Sequence, residues 1–133
     1  MIQLFHVYKS YGKDKNALAD ITLEIEKGEF TFLTGPSGAG KSTFLKLLFC
    51  AERPTSGQVM VNGHNTSRLR GNSIPYLRRN IGVVFQDFKL LPRRTVAQNV
   101  AITLQILGRD AKEVHRRSFN ILKEVGLGHK MNE

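Results

Sequence analysis

Gly35-Pro36-Ser37-Gly38-Ala39-Gly40-Lys41-Ser42-Thr43 places two glycines, a lysine and a hydroxyl at the spacing G-x-x-x-x-G-K-[ST]. That spacing is the pattern of a phosphate-cradling loop. Gly35, Gly38 and Gly40 permit backbone angles and a closeness of approach that a Cβ would block, so successive N–H groups can turn inward on phosphate oxygens. A helix beginning at the end of the loop would add the positive end of its macrodipole. Lys41 then reaches the β- and γ-phosphates as a point charge, and the Ser42 hydroxyl ligates a Mg²⁺ that bridges them. Together these residue types specify a nucleoside triphosphate with its Mg²⁺, against the blander alternative of a glycine turn that binds nothing.

The elements that must position the loop are legible around it. Glu29-Phe30-Thr31-Phe32-Leu33-Thr34 is an aromatic and β-branched run that reads as a strand, and Ser42 to Phe49 reads as a helix, so the loop has the strand-to-helix context it requires. Upstream, Ile2 to Tyr8 predicts a strand, Ser10 to Asn16 a polar turn, and Ala17 to Ile25 a second strand whose Ile21, Leu23 and Ile25 alternate with Thr22 and Glu24, an antiparallel, one-sided pattern. Downstream, Arg53 to Gly57 closes the helix, Gln58 to Val61 predicts a strand ending in the tight turn Asn62-Gly63, and Ser73 to Arg79 a short helix with proline in its first turn. Ile81 to Phe85 is an apolar run expected of a strand covered on both faces. From Thr95 the pattern turns helical, one stretch ending at Gly108 and a second capped by Asp110 with an apolar face of Val114, Phe119, Ile121, Leu122 and Val125.

Two further residues could touch a ligand. Gln86 follows the apolar run, where open α/β sheets place their ligands, although a capping glutamine reads equally well there. Tyr11 could stack on a purine base or simply pack on the sheet.

With 133 residues the chain has one domain's worth of sequence, and Met1 leads directly into a strand pattern rather than a secretory leader. No apolar run approaches the roughly 20 residues of a membrane span. A single cysteine, Cys50, lies in the apolar helix pattern and reads as a small buried hydrophobe, which excludes a disulfide scaffold, and the four histidines show no ligand spacing. The 20 lysines and arginines outnumber the 11 acids, giving a net charge of +9. The excess concentrates in Arg68, Arg70, Arg78, Arg79, Lys89, Arg93 and Arg94 against the lone acid Asp87, without the interleaved aromatics of a base-stacking platform. That favours a position near an anionic membrane over nucleic-acid binding.

In order, these motifs resemble the ATP-binding subunits of ABC transporters over essentially the whole chain. The resemblance identifies Gly35 to Thr43 as the Walker A loop, makes Tyr11 the adenine-stacking aromatic, and makes Phe85-Gln86-Asp87 the Q-loop, with Gln86 approaching Mg²⁺ and the attacking water. Lys41 and Gln86 are then the catalytic residues, and Ser42 and Gln86 the metal-facing ones. The implied fold class is α/β, an incomplete ABC-type P-loop NTPase domain with an antiparallel β-subdomain, a parallel core sheet and the start of a helical subdomain. The expected division is a nucleotide-binding core over 1–94 and a helical part over 95–133. Leu77 to Phe88, Leu90-Leu91 and Thr95 to Ala101 are most similar to the cell-division branch of that family, with the lipoprotein-release and macrolide-exporter branches as alternatives and a non-catalytic nucleotide-binding adaptor as a further one. The resemblance implies an integral membrane partner, a homodimer of the full-length protein and a location on the cytoplasmic face of the membrane. The family's Leu-Ser-Gly-Gly signature, Walker B aspartate, neighbouring glutamate and switch histidine have no counterpart in these residues, so the chain is expected to be an N-terminal fragment that binds ATP without hydrolysing it.

Overall fold

β1 (Ile2–Ser10) is the strand on which the sheet is built. The computed structural model describes residues 1–12 and 16–133; Lys13, Asp14 and Lys15 of the expected polar turn lie outside the described residues. β1 pairs on one side with β2 (Asn16–Ile25) and on the other with β3 (Ser56–Val61), which pairs in turn with the short β4 (His64–Asn65). The sheet has four strands in the order β2-β1-β3-β4, every pair antiparallel. Leu4 and Val7 are both fully buried although residues three apart on a regular strand face opposite ways. The conflict is resolved by register shifts on either side of Val7, where one extra residue enters β1 and another enters β2. His6 (φ 46°) and Asp20 (φ 51°) take left-handed backbone conformations there, and the His6 ring meets the Asp20 carboxylate at 2.8 Å. Gly57 (φ 86°) fits beside this irregularity because a Cβ would stand 2.2 Å from the His6 carbonyl oxygen.

α1 (Lys41–Leu48) lays Phe44 and Leu47 against Leu4, Val7, Leu18, Val59 and Val61 to form the core, and Cys50 is buried with them. Burial raises the Cys50 thiol above its usual range, against the opposing charge of Arg78 and the Thr66 hydroxyl. Arg78 belongs to the basic stretch but turns inward: its guanidinium donates to the carbonyls of Phe49 (2.9 Å) and Cys50 (3.0 Å) at the C-terminal end of α1. There it satisfies orphan acceptors and complements the helix dipole. Arg53 likewise donates to the Leu69 carbonyl at 2.6 Å. The turn Asn62-Gly63 has positive φ at both residues (48° and 78°), as a two-residue hairpin turn requires. α2 (Ile74–Arg78) carries its proline in the first turn and buries Leu77.

Two expected strands do not form as strands. Glu29 to Thr34 and Ile81 to Phe85 join no ladder among the described residues, and Phe30, Phe32 and Val84 are 82%, 78% and 100% exposed. The side chains of these runs suit a pleated, buried surface, but a strand exists only once another backbone takes up its N–H and C=O groups. Among the described residues the sheet is therefore the antiparallel one packed on α1, with no parallel pair.

Backbone contacts divide the chain into two compact units, Met1–Gly82 and Val83–Glu133. In the second, Thr95 and Gln98 form a reciprocal capping box at the start of α3 (Val96–Ile106), and the Asp110 carboxylate accepts from the Glu113 N–H at 2.9 Å to cap α4 (Ala111–Glu124). The Asn99 side chain braces the segment before α3: it accepts from the Leu91 N–H (2.8 Å) and donates to the carbonyls of Leu91, Arg94 and Thr95. The apolar face expected on α4 is narrower than its sequence suggests. Val114, Ser118 and Leu122, four apart, are buried, whereas Phe119, Ile121 and Val125 are exposed.

Candidate functional site

The loop before α1 folds around its own lysine. The Lys41 ammonium donates to the carbonyls of Gly35 and Pro36, each at 2.7 Å, so the group expected to meet phosphate is held by the loop's own acceptors. Phosphate oxygens offer an anionic replacement for those carbonyls and a stronger one. α1 starts at Gly40 without a side-chain cap and without an acid in its first turn, leaving its first N–H donors to the loop side. Gly40 has φ 89°, and a Cβ on it would stand 2.3 Å from the Ala17 carbonyl oxygen. That contact seats the loop against the start of β2.

A cavity of about 520 Å³ opens above the loop, and Ser37, Gly38, Gly40, Lys41, Ser42 and Thr43 line it together with Tyr11, Asn16 and Ala17. Tyr11 is thus brought to the same space as the loop by β1, which carries it to the end of the sheet beside α1. Ser42 is exposed on this side and Thr43 is buried, its hydroxyl 3.4 Å from the Tyr11 hydroxyl. Gly35 and Pro36 serve through their carbonyls, and Ala39 closes the loop with its N–H on the Pro36 carbonyl at 3.3 Å. Gln86 lies in the second unit, exposed in a turn with Asp87. The Lys89 ammonium pairs with Asp87 at 2.5 Å and, with that hydrogen bond foremost, holds the carboxyl below its ordinary range.

Glu52, Lys9 and Lys46 join Tyr11 in the first unit, although no motif in the sequence marks them. The Tyr11 hydroxyl donates a hydrogen bond to Glu52, and the Lys9 ammonium lies over the Tyr11 ring, 5.0 Å from its centre. Lys9 and Lys46 pair with the same carboxylate at 3.2 and 3.3 Å. The Tyr11 hydroxyl first, then the two ammonium groups, lower the pKa of Glu52 against its partial burial. Lys9 and Tyr11 stand two apart, the spacing of one strand face, which was an available signal; nothing in the spacing links either to Glu52.

A glycine loop with its lysine, seated at a helix N-terminus and faced by an aromatic ring, defines the class: an α/β domain of the P-loop kind. The chain belongs to the ABC transporter family, whose model matches residues 18–133. It is 44% identical over 133 residues to the cell division ATP-binding protein FtsE of Bacillus subtilis, covering 100% of this chain and 58% of that protein. It is 50% identical over 133 residues to FtsE of Mycobacterium tuberculosis, covering 99% of this chain and again 58% of the relative. Among solved structures, a dimeric bacterial ABC transporter cassette matches with a TM-score of 0.90 at 35% identity, covering 100% of this chain and 61% of that one. A dimeric cassette in a post-hydrolysis state bound to ADP and Pi matches at 0.89 and 34%, with the same coverage. The chain thus spans 58% of the length of these two FtsE relatives. Among the described residues, no helix is long and apolar enough to cross a membrane.

Proposed function

We propose that this chain is the ATP-binding half of an FtsE-like ABC subunit, and that it binds ATP with Mg²⁺ at Gly35, Pro36, Ser37, Gly38, Ala39, Gly40, Lys41, Ser42 and Thr43, with Tyr11 against the base. The carrying observation is one cavity shared by the loop, the start of α1 and Tyr11. The fit to a metal-bound triphosphate rests on donor chemistry: an uncapped helix start, an ammonium already held by oxygen acceptors, and the exposed Ser42 hydroxyl, a hard oxygen suited to Mg²⁺. When bound, Mg²⁺ supplies charge neutralisation at the β- and γ-phosphates. Lys41 holds those phosphates, and Gln86 is assigned to Mg²⁺ and the water nucleophile by the Q-loop resemblance.

In the full-length protein this binding is coupled to hydrolysis and to an integral membrane partner resembling FtsX, in a homodimer peripheral to the cytoplasmic face of the membrane. The names of the FtsE relatives and the dimeric solved cassettes support that reading. The division into a core over 1–94 and a helical part from 95 belongs to the same proposal. Amide hydrogen exchange of the chain with and without ATP-Mg²⁺ tests the site: protection should appear over 35–43 and around Tyr11. Protection confined to α3 and α4, or none at saturating nucleotide, would overturn the assignment.

A further inference from the structure

Tyr11 faces the cavity above the loop, yet an exposed tyrosine at the end of a strand has rotamer freedom that would be lost on stacking against a base. In this structure that freedom is already restricted. Tyr11 is 44% exposed, but its hydroxyl is tied to the Glu52 carboxylate, with the Thr43 hydroxyl of α1 within 3.4 Å. Glu52 is itself fixed by Lys9 and Lys46, and Lys9 is anchored further by donating to the Arg53 carbonyl at 2.9 Å. The Lys9 ammonium lies over one face of the ring. An aromatic with its tip clamped and one face held by a cation has only its other face to offer a planar ligand.

We propose that Glu52 is the positioning residue that holds the Tyr11 ring at the cavity for stacking on a nucleotide base, and so sets how strongly the chain prefers a nucleotide to bare polyphosphate. The inference rests on the reading of the loop as a triphosphate cradle and adds to it the source of base affinity. Glu52 follows the helix that begins with Lys41, so the clamp ties the base platform to the far end of the phosphate-binding helix. Ring and loop then share one rigid support. The phosphate contacts are made by the loop and do not pass through Glu52, which separates the two contributions experimentally.

The test compares the affinities of the chain for ATP-Mg²⁺ and for inorganic tripolyphosphate-Mg²⁺ by calorimetry. Glu52→Ala and Tyr11→Phe should each weaken ATP binding by about three- to tenfold, the cost of ordering one side chain at a ligand, and leave tripolyphosphate unchanged. The double variant should lose no more than either single one, because both remove the same contact. Glu52→Gln keeps an acceptor for the phenol and should restore most of the preference. Tyr11→Phe removes one oxygen atom and tests the clamp even if Glu52→Ala unfolds. Equal losses for both ligands would make Glu52 a general support of the loop and overturn the proposal, as would unchanged ATP affinity in both single variants. Glu52→Gln as weak as Glu52→Ala would assign the effect to the ion pairs and overturn the phenol clamp. A wild-type chain that binds tripolyphosphate as tightly as ATP overturns this inference and leaves the cradle standing, whereas one that binds neither overturns the cradle itself.

Discussion

Gly38 and Gly40 both hold left-handed backbone, with φ 81° and 89°, but only Gly40 is pressed against the sheet. An alanine at either position carries the left-handed penalty of a residue with a Cβ, about 1–2 kcal/mol. At Gly38 nothing stands within 4 Å of the added carbon. At Gly40 the added carbon would lie 2.3 Å from the Ala17 carbonyl oxygen and 3.0 Å from the Leu18 Cδ2. The leucine tip can rotate aside, but a carbonyl in the β2 backbone moves only if the strand or the loop moves, and forced shifts of this kind cost about 1–3 kcal/mol. Gly40→Ala should therefore destabilise by about 2–5 kcal/mol and Gly38→Ala by about 1–2. The backbone penalty cancels in the comparison and isolates the contact with β2. With a urea slope of about 1–3 kcal/mol/M, the Gly40→Ala midpoint should fall on the order of 1 M below that of Gly38→Ala. Coincident midpoints for the two variants would refute the seating of the loop against the sheet.

Three other outcomes follow from the structure. The pKa of Glu52 is depressed in the folded state, so its contribution to stability is full above the unfolded carboxyl pKa and is lost as pH falls through the folded one; urea midpoints should drop through that acid window in wild type and less steeply in Glu52→Gln, and parallel profiles would remove the clamp from the stability account. Phe30, Phe32 and Val84 stand exposed on runs that join no ladder among the described residues, so the isolated chain should self-associate without nucleotide, by sheet edges or by exchange of the helices after Thr95, and light scattering coupled to size exclusion showing a stable monomer at micromolar concentration would contradict this. The 133 residues carry no Leu-Ser-Gly-Gly run, so phosphate release by this chain alone should be negligible, and turnover that disappears in Lys41→Ala would overturn that expectation.

What was legible in the sequence was local chemistry. The loop spacing, the Asn62-Gly63 turn, Asp110 at the head of α4 and the alternation of β2 each encode their geometry within a few residues. The failures are all nonlocal. Phe30 to Leu33 has the composition of a buried strand, but pairing is a property of two backbones, and only one is visible in a run of side chains. Phe119 and Ile121 match a helical apolar pattern loosely, while the contact stripe on α4 follows Val114, Ser118 and Leu122. The irregular pairing at His6 and Asp20 leaves no pattern in either strand alone, because it arises when the two strands must bring Leu4 and Val7 to the same face. Glu52 was invisible for the same reason: its partners Lys9 and Tyr11 come from β1 and the residue following it, across the sheet–helix junction.

The central claim is that Gly35 to Thr43 binds a nucleoside triphosphate through Lys41, and a calorimetric titration of wild type and Lys41→Ala with ATP-Mg²⁺ tests it most directly. A hydrogen bond to a charged group is worth about 1.5–3 kcal/mol, so the variant should bind about ten- to a hundredfold more weakly. Equal affinity in the two proteins would contradict the account.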